Sequence, residues 1–186
     1  PSFKKLKMNF IVRKFFRLTF YCAKFFLKII ANFNHRLYMR YYVFLLDKYG
    51  MKFTGFPRYI GVNVMFDDFE KISLGDRVVI SDDCHFLTHD YSLTTALISI
   101  KKKPKKDLAF QKPIIIGDNV FIGKKSIIMP NARIGSNVII GAGAVVRGEI
   151  PENTIAIGNP CKVISKLDVK AKKWLNIMDY NNVKSD

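Results

Sequence analysis

The chain has 186 residues, 49% of them hydrophobic and 25% charged, with a formal net charge of +16. That length buries one good core with a small appendage. Three scattered cysteines, Cys22, Cys84 and Cys161, form no Cys-x-x-Cys pair, which argues for a reducing compartment and against a disulfide framework or zinc ribbon.

The positive charge is concentrated at one end. Residues 1–58 hold 13 basic side chains against Asp47 alone, whereas residues 59–186 hold 18 basic and 14 acidic ones. Phe3 to Phe33 contains no acidic residue, Gly or Pro, and its pattern predicts a helix. At about 100° per residue, Arg13, Arg17, Lys24 and Lys28 fall in one narrow basic stripe, and most of the remaining circumference is aromatic or aliphatic. Charges at these intervals interrupt any run long enough to span a bilayer, and no small-residue cleavage site follows. Neither a spanning helix nor a signal peptide is expected. Two readings stay open: residues 3–33 lie in the plane of an anionic membrane surface, or their wide apolar face is buried in a helical subdomain or an oligomer. Nucleic acid is the weaker partner, because phosphate binding does not need so much apolar surface on the same helix. A second helix is predicted over His35–Lys48, stopping at Gly50, and residues 1–54 form one helical segment.

From Phe56 the rhythm changes. Weak six-residue units run through Leu74-Gly75, Ile80-Ser81 and Phe86. Residues 90–112 then break the period, which predicts an extruded loop. The KKKPKK run inside it is a solvated tip or a contact for an anionic group such as a phosphate. Over residues 114–164 the period is plain. Ile116, Ile122, Ile128, Ile134, Ile140 and Val146 recur every sixth position, and Val120, Ser126, Ala132, Val138, Ala144 and Ile150 follow four residues after each. Gly follows the aliphatic residue at Gly117, Gly123, Gly135 and Gly141. Neither a helix nor a plain strand repeats every six residues. A coil that turns a corner after each short strand does. Gly and Asn at the corners are expected to supply positive φ. Three units make a triangular turn of about 18 residues, so residues 55–166 predict a β-helix of about five turns. Residues 167–182 read as a short amphipathic helix within a tail, 167–186, that caps the last coil, with Trp174 as a packing anchor.

The segments IGDNVFIG, IGSNVIIGAGAVV and AIGNPCKVI resemble the hexapeptide-repeat acyltransferases, and among them the maltose and galactoside O-acetyltransferases and similar sugar or capsule enzymes. The resemblance covers residues 55–166, about 60% of the chain. It implies a mainly β fold, a left-handed parallel β-helix, flanked here by helices at both ends. It also implies a homotrimer, acetyl-CoA as donor, a saccharide hydroxyl as acceptor and no metal.

Within LTHD, His89 stands where the coil gives way to the loop, and that position matches the family's catalytic histidine. A hydroxyl is almost wholly protonated at neutral pH and needs a base, and imidazole suits the task. His85 and His35 have weaker context. Asp90 is expected to orient the imidazole by accepting its N–H. Asn63 lies eleven residues before Leu74 and matches a family Asn at the acceptor, with Asp67 and Asp68 holding acceptor hydroxyls or the corner. The positions that match the coenzyme A groove are Phe121, Lys124, Gly141, Ala142, Arg147, Gly148 and Lys162. Phe121 replaces the family's usual Trp, and Arg147-Gly148 replaces a hydroxyl-plus-Lys pair. In the expected mechanism His89 takes the acceptor proton as the oxygen attacks the thioester, and no acyl-enzyme is needed.

Other readings are an N-acyltransferase on an amino nucleotide sugar, a zinc carbonic anhydrase on the same kind of coil, or a non-enzymatic membrane-docking protein. The zinc site needs three His, and the coil has only His85 and His89. The expected location is cytoplasmic, on the inner face of a bacterial membrane, with a lipid-carried surface-polysaccharide precursor as acceptor.

Overall fold

The computed structural model describes residues 10–177, with side chains from Thr19 onward. The side chains of Arg13 and Arg17 in the basic stripe, with residues 3–9 and 178–186, therefore lie outside the described part of the chain. The chain divides into two compact units, residues 1–45 and 46–186.

In the first unit α1 spans Phe10–Phe33, and α2 begins at His35 and runs to Lys48. Asn34 separates them: its Oδ1 accepts the Leu37 N–H at 3.0 Å, satisfying a donor that the first turn of α2 leaves free. Phe20 and Leu27, seven residues apart, are buried, as are Tyr38, Met39 and Tyr42 of α2. The Tyr38 and Tyr42 rings lie 5.4 Å apart. Lys24 Nζ stands 5.9 Å from the Tyr42 ring centroid, a cation–π contact between the helices. This basic residue is thus turned onto a partner helix. Burial pushes the Tyr42 phenol far above its ordinary pKa, and its hydroxyl has no hydrogen-bond partner among the described residues.

The second unit is a coil of short strands on three faces. Its first turn is β1 (Lys52–Phe53), β2 (Tyr59–Ile60) and β3 (Met65–Phe66). The second is β4 (Ile72–Leu74), β5 (Val79–Ile80) and β6 (His85–Phe86). An excursion follows through β7 (His89–Asp90), α3 (Ser92–Ser99) and β8 (Phe110–Gln111). Coiling resumes with β9 (Ile114–Ile116), β10 (Phe121–Ile122) and β11 (Ile127–Ile128), then β12 (Arg133–Ile134), β13 (Ile139–Ile140) and β14 (Val145–Val146). A partial fifth turn consists of β15 (Glu149–Ile150) and β16 (Thr154–Ile157). Strands one turn apart pair in parallel, giving faces β1-β4-β9-β12-β15, β2-β5-β10-β13-β16 and β3-β6-β11-β14.

The register keeps one ladder pointing inward. Phe66, Phe86, Ile128 and Val146 are Cα partners up the third face, and Ile60, Ile80, Ile122 and Ile140 up the second. All six aliphatic repeat positions from Ile116 to Val146 are buried, as are all six partners from Val120 to Ile150. The one hydroxyl among them, Ser126, lies 2.7 Å from Gly123 O and 3.1 Å from Gly141 O, so its polarity is satisfied within the core.

The repeat glycines have a different cause from the one expected. Positive φ falls on Asn119, Asn131, Asn137 and Asn153 among others, whereas Gly117, Gly123, Gly135 and Gly141 do not adopt it. These glycines sit where the next coil passes. A Cβ at Gly117 would lie 2.8 Å from Ser136 N, and one at Gly123 would collide with the backbone of Ala142. The corner asparagines form their own ladder, Asn119 Nδ2 donating to Asn137 Oδ1 (2.9 Å) and Asn137 Nδ2 to Asn153 Oδ1 (3.0 Å).

Two further segments differ from the sequence reading. Residues 90–112 are not a bare loop: β7 and β8 pair antiparallel at their base, α3 lies between them, and Leu108 N–H donates to Thr94 Oγ1 at 2.7 Å. The end of the repeat block does not form another rung. β17 (Lys162–Lys166) folds back antiparallel on β16 and leads into α4 (Leu167–Ile177). Trp174 and Val169 of α4 line a hollow with Ile139, Ile155 and Ile164 over the second face.

Candidate active site

His89 is the first residue off the coil. β6 carries Phe86 inward, the Leu87 N–H bonds Ile128 O at 2.9 Å, and Thr88 is fully buried. The chain then leaves through β7, where His89 pairs with Gln111. The imidazole is about one-third exposed. Its Nδ1 lies 3.4 Å from Asp67 Oδ2 and 3.9 Å from Asp68 Oδ2, and its ring packs edge-on against Tyr91 at 5.6 Å. Two carboxylates at Nδ1 favour the tautomer protonated there and leave the Nε2 lone pair for a substrate proton.

The coil itself positions those carboxylates. β3 stacks on β6 with Phe66 opposite Phe86, so the residues after Phe66 meet those after Phe86. Asp67 Oδ2 accepts the Thr88 N–H at 3.2 Å, and Asp68 Oδ2 accepts the Thr88 hydroxyl at 2.8 Å and Lys71 Nζ at 2.9 Å. Lys71 also reaches Gln111 Oε1 at 3.1 Å, tying the group to β8. Burial acts to raise the Asp68 pKa, but the hydrogen bonds from Lys71 and Thr88 and the charges of Lys71 and His89 outweigh it and hold it below the usual carboxylate range. Asp68 therefore remains charged beside the imidazole at neutral pH.

The expected orienting residue is replaced. Asp90 Oδ1 accepts the Ser92 N–H at 2.9 Å, so its carboxylate closes the turn into α3; that bond chiefly lowers its pKa, with the charge of Arg147 contributing. Asp67 takes the place at Nδ1. Asp67 and Asp68, expected to hold acceptor hydroxyls or the corner, make their contacts here with His89, Thr88 and Lys71 through Oδ2. Asn63 is exposed at the opposite end of β3 from Asp67, and hence from His89, with its N–H on Asp82 Oδ1 at 3.2 Å.

The seven proposed groove positions separate into two groups. Phe121 is exposed on the second face, and Lys124, Gly141 and Ala142 lie at or beside the corner leading to the third. Lys124 O accepts the Gly143 N–H at 2.9 Å, and Lys124 Nζ lies 3.5 Å from Asp83. Lys162 opens β17 beside Cys161, whose N–H bonds Val145 O. Arg147 and Gly148 lie at the far corner of the third face, the one His89 occupies two coils away. Between the groups run the outward side chains of that face, Met65, His85, Ile127 and Val145. A Cβ at Gly143 or Gly148 would meet nothing within 4 Å, and Lys124, Arg147 and Lys162 are exposed cations on this surface. Among the described residues no three His, Cys, Asp or Glu side chains converge on a metal position.

Residues 113–148 match the family described as bacterial transferase hexapeptide (six repeats). Residues 113–148 of the coil thus carry repeats of that family's kind. The chain is 40% identical over 119 residues to a putative acetyltransferase of Saccharomyces cerevisiae, covering 63% of this chain and 60% of that protein. It is 32% identical over 116 residues to the galactoside O-acetyltransferase of Escherichia coli, covering 62% and 54%. The chain thus spans little more than half the length of these curated relatives. Among solved structures, a galactoside acetyltransferase in complex with coenzyme A superposes with a TM-score of 0.59 at 23% identity, over 90% of this chain and 88% of that one. That likeness identifies the fold of the hexapeptide-repeat domain as the left-handed parallel β-helix of these acetyltransferases. The relatives include a yeast protein as well as bacterial ones, so the likeness assigns no bacterial source.

Sequence reasoning missed Asp67 as the partner of Nδ1, together with Thr88 and Lys71. The signal was the coil length: Asp67 falls one turn below Leu87 and Thr88, a neighbour relation that counting from Phe66 to Phe86 reveals.

Proposed function

We propose that the chain transfers the acetyl group of acetyl-CoA to a hydroxyl of a saccharide, with His89 as general base. The observation that carries this is the imidazole at the coil's edge, its Nδ1 against Asp67 and its Nε2 left for a substrate. Acetyl-CoA supplies an activated thioester. His89 Nε2 accepts the proton of the acceptor hydroxyl as that oxygen bonds to the acetyl carbon. The proton then passes to the departing thiolate sulfur as the carbon–sulfur bond breaks. Asp67 and Asp68 offset the positive charge on the ring while it holds the proton. Lys124, Arg147 and Lys162 suit the phosphates of coenzyme A, and the gaps at Gly143 and Gly148 suit its thin arm.

On this reading the protein is a homotrimer. The outward face with Met65, Ile127 and Val145 meets a neighbour, and Asn63 completes a site across that boundary. The acceptor is a saccharide of the galactoside kind or a surface-polysaccharide precursor. The relatives' names and the resemblance of IGSNVIIGAGAVV support this reading. The test monitors coenzyme A release with a thiol reagent while labelled acetyl-CoA is offered to a panel of sugars, amino sugars and lipid-linked saccharides. Acetylation at oxygen of a saccharide is the expected outcome. Acetylation confined to the nitrogen of an amino sugar, or no transfer to any acceptor, would contradict it.

A further inference from the structure

We propose that the first helical unit docks on the surface of an anionic lipid bilayer. On α1, Tyr21, Phe25, Phe26, Ile29 and Phe33 are all exposed, Phe25 at 63% and Phe33 at 86%. At about 100° per residue these side chains occupy one continuous arc of about 140°, while Phe20 and Leu27 point the other way and are buried. Between Tyr21 and Phe33 no charged residue falls within the arc, and exposed Lys28 borders it. On α2, Leu37 and Tyr41 are exposed one turn apart, beside exposed Arg36 and Arg40. Contiguous apolar surface rimmed by cations is what a helix needs to lie at the boundary between acyl chains and acidic headgroups.

Charge selects the occupant. Residues 1–45 hold ten Lys or Arg and no Asp or Glu, and the remaining 141 residues hold 21 basic against 15 acidic side chains. A second copy of this chain would bring further net positive charge to the face, whereas a bilayer of acidic lipids brings the opposite sign. Nucleic acid would match the cations and leave the phenylalanines in water. No helix among the described residues is long and apolar enough to cross a membrane, so the unit lies on the bilayer. Nothing in this inference depends on acetyl transfer.

The test uses the whole protein and sedimenting vesicles of phosphatidylcholine, alone or with about one-third phosphatidylglycerol. The protein is expected to sediment with the acidic vesicles, with at least about tenfold weaker binding to the neutral ones, and to dissociate as salt is raised. Phe25→Ser with Phe26→Ser lowers binding about tenfold, and so does Arg36→Ala with Arg40→Ala. Circular dichroism checks that each variant is folded; should the Phe pair not fold, the exposed Arg pair carries the test alone. Equal binding to both vesicle types, no binding, or undiminished binding by the Arg pair would overturn the proposal. So would a larger assembly in solution that the Phe pair dissociates, since the face would then belong to a second copy.

Discussion

At the residue scale, the proposed chemistry depends on which nitrogen of His89 is left free. Asp67 at 3.4 Å from Nδ1 selects the ring's tautomer, while Asp68 is held by Thr88 and Lys71 and serves mainly as a fixed charge. Asp67→Asn keeps the shape but removes the charge and permits the wrong tautomer. It is expected to lower kcat about 10²-fold with little change in KM for acetyl-CoA, measured by steady-state release of coenzyme A. A loss confined to KM would mean that Asp67 binds substrate. Asp90→Asn, at the turn into α3, is expected to leave kcat within about threefold; a loss matching that of Asp67→Asn would return the orienting role to Asp90.

At the element scale, coil spacing decides which substitutions are tolerated. Gly123→Ala places a methyl group into the Ala142 backbone of the next turn, and a well-packed site answers such insertion with a loss of about 1–3 kcal/mol. Gly143→Ala meets open space and carries only the strain of φ +69, about 1 kcal/mol. Thermal unfolding should rank Gly123→Ala below Gly143→Ala, and the reverse order would contradict the inter-coil account. The inward ladder from Ile116 to Val146 was legible in the sequence because every sixth residue must be apolar to face a shared interior. The cause of the repeat glycines was not, because it depends on how closely the next turn passes. The break at residues 90–112 was visible as a lost period, but α3 and the β7–β8 pairing were not, since both are short and set by contacts between distant residues. The reversal at β17 was hidden because AIGNPCKVI continues the aliphatic spacing while the chain turns back.

At the scale of the whole molecule, the two units differ in composition. The cationic, aromatic residues 1–45 suit a surface, and the coil of residues 46–186 suits a reaction at one corner. The coil aligns Asp67 with Thr88 through strand register, so the site's geometry is as stiff as the stack beneath it. On the proposed trimer, a neighbour would bring its Asn63 amide to this imidazole, since Asn63 of the same chain lies at the opposite end of β3. The central claim is that one imidazole at the edge of this coil moves the acceptor's proton. Its most direct test is the rate of coenzyme A release with a saccharide acceptor, comparing the unaltered chain with His89→Ala and tracking coenzyme A binding by thermal shift. The account predicts a fall of about 10²–10⁴-fold in turnover with binding and folding unchanged; a variant that keeps most of its turnover would contradict it.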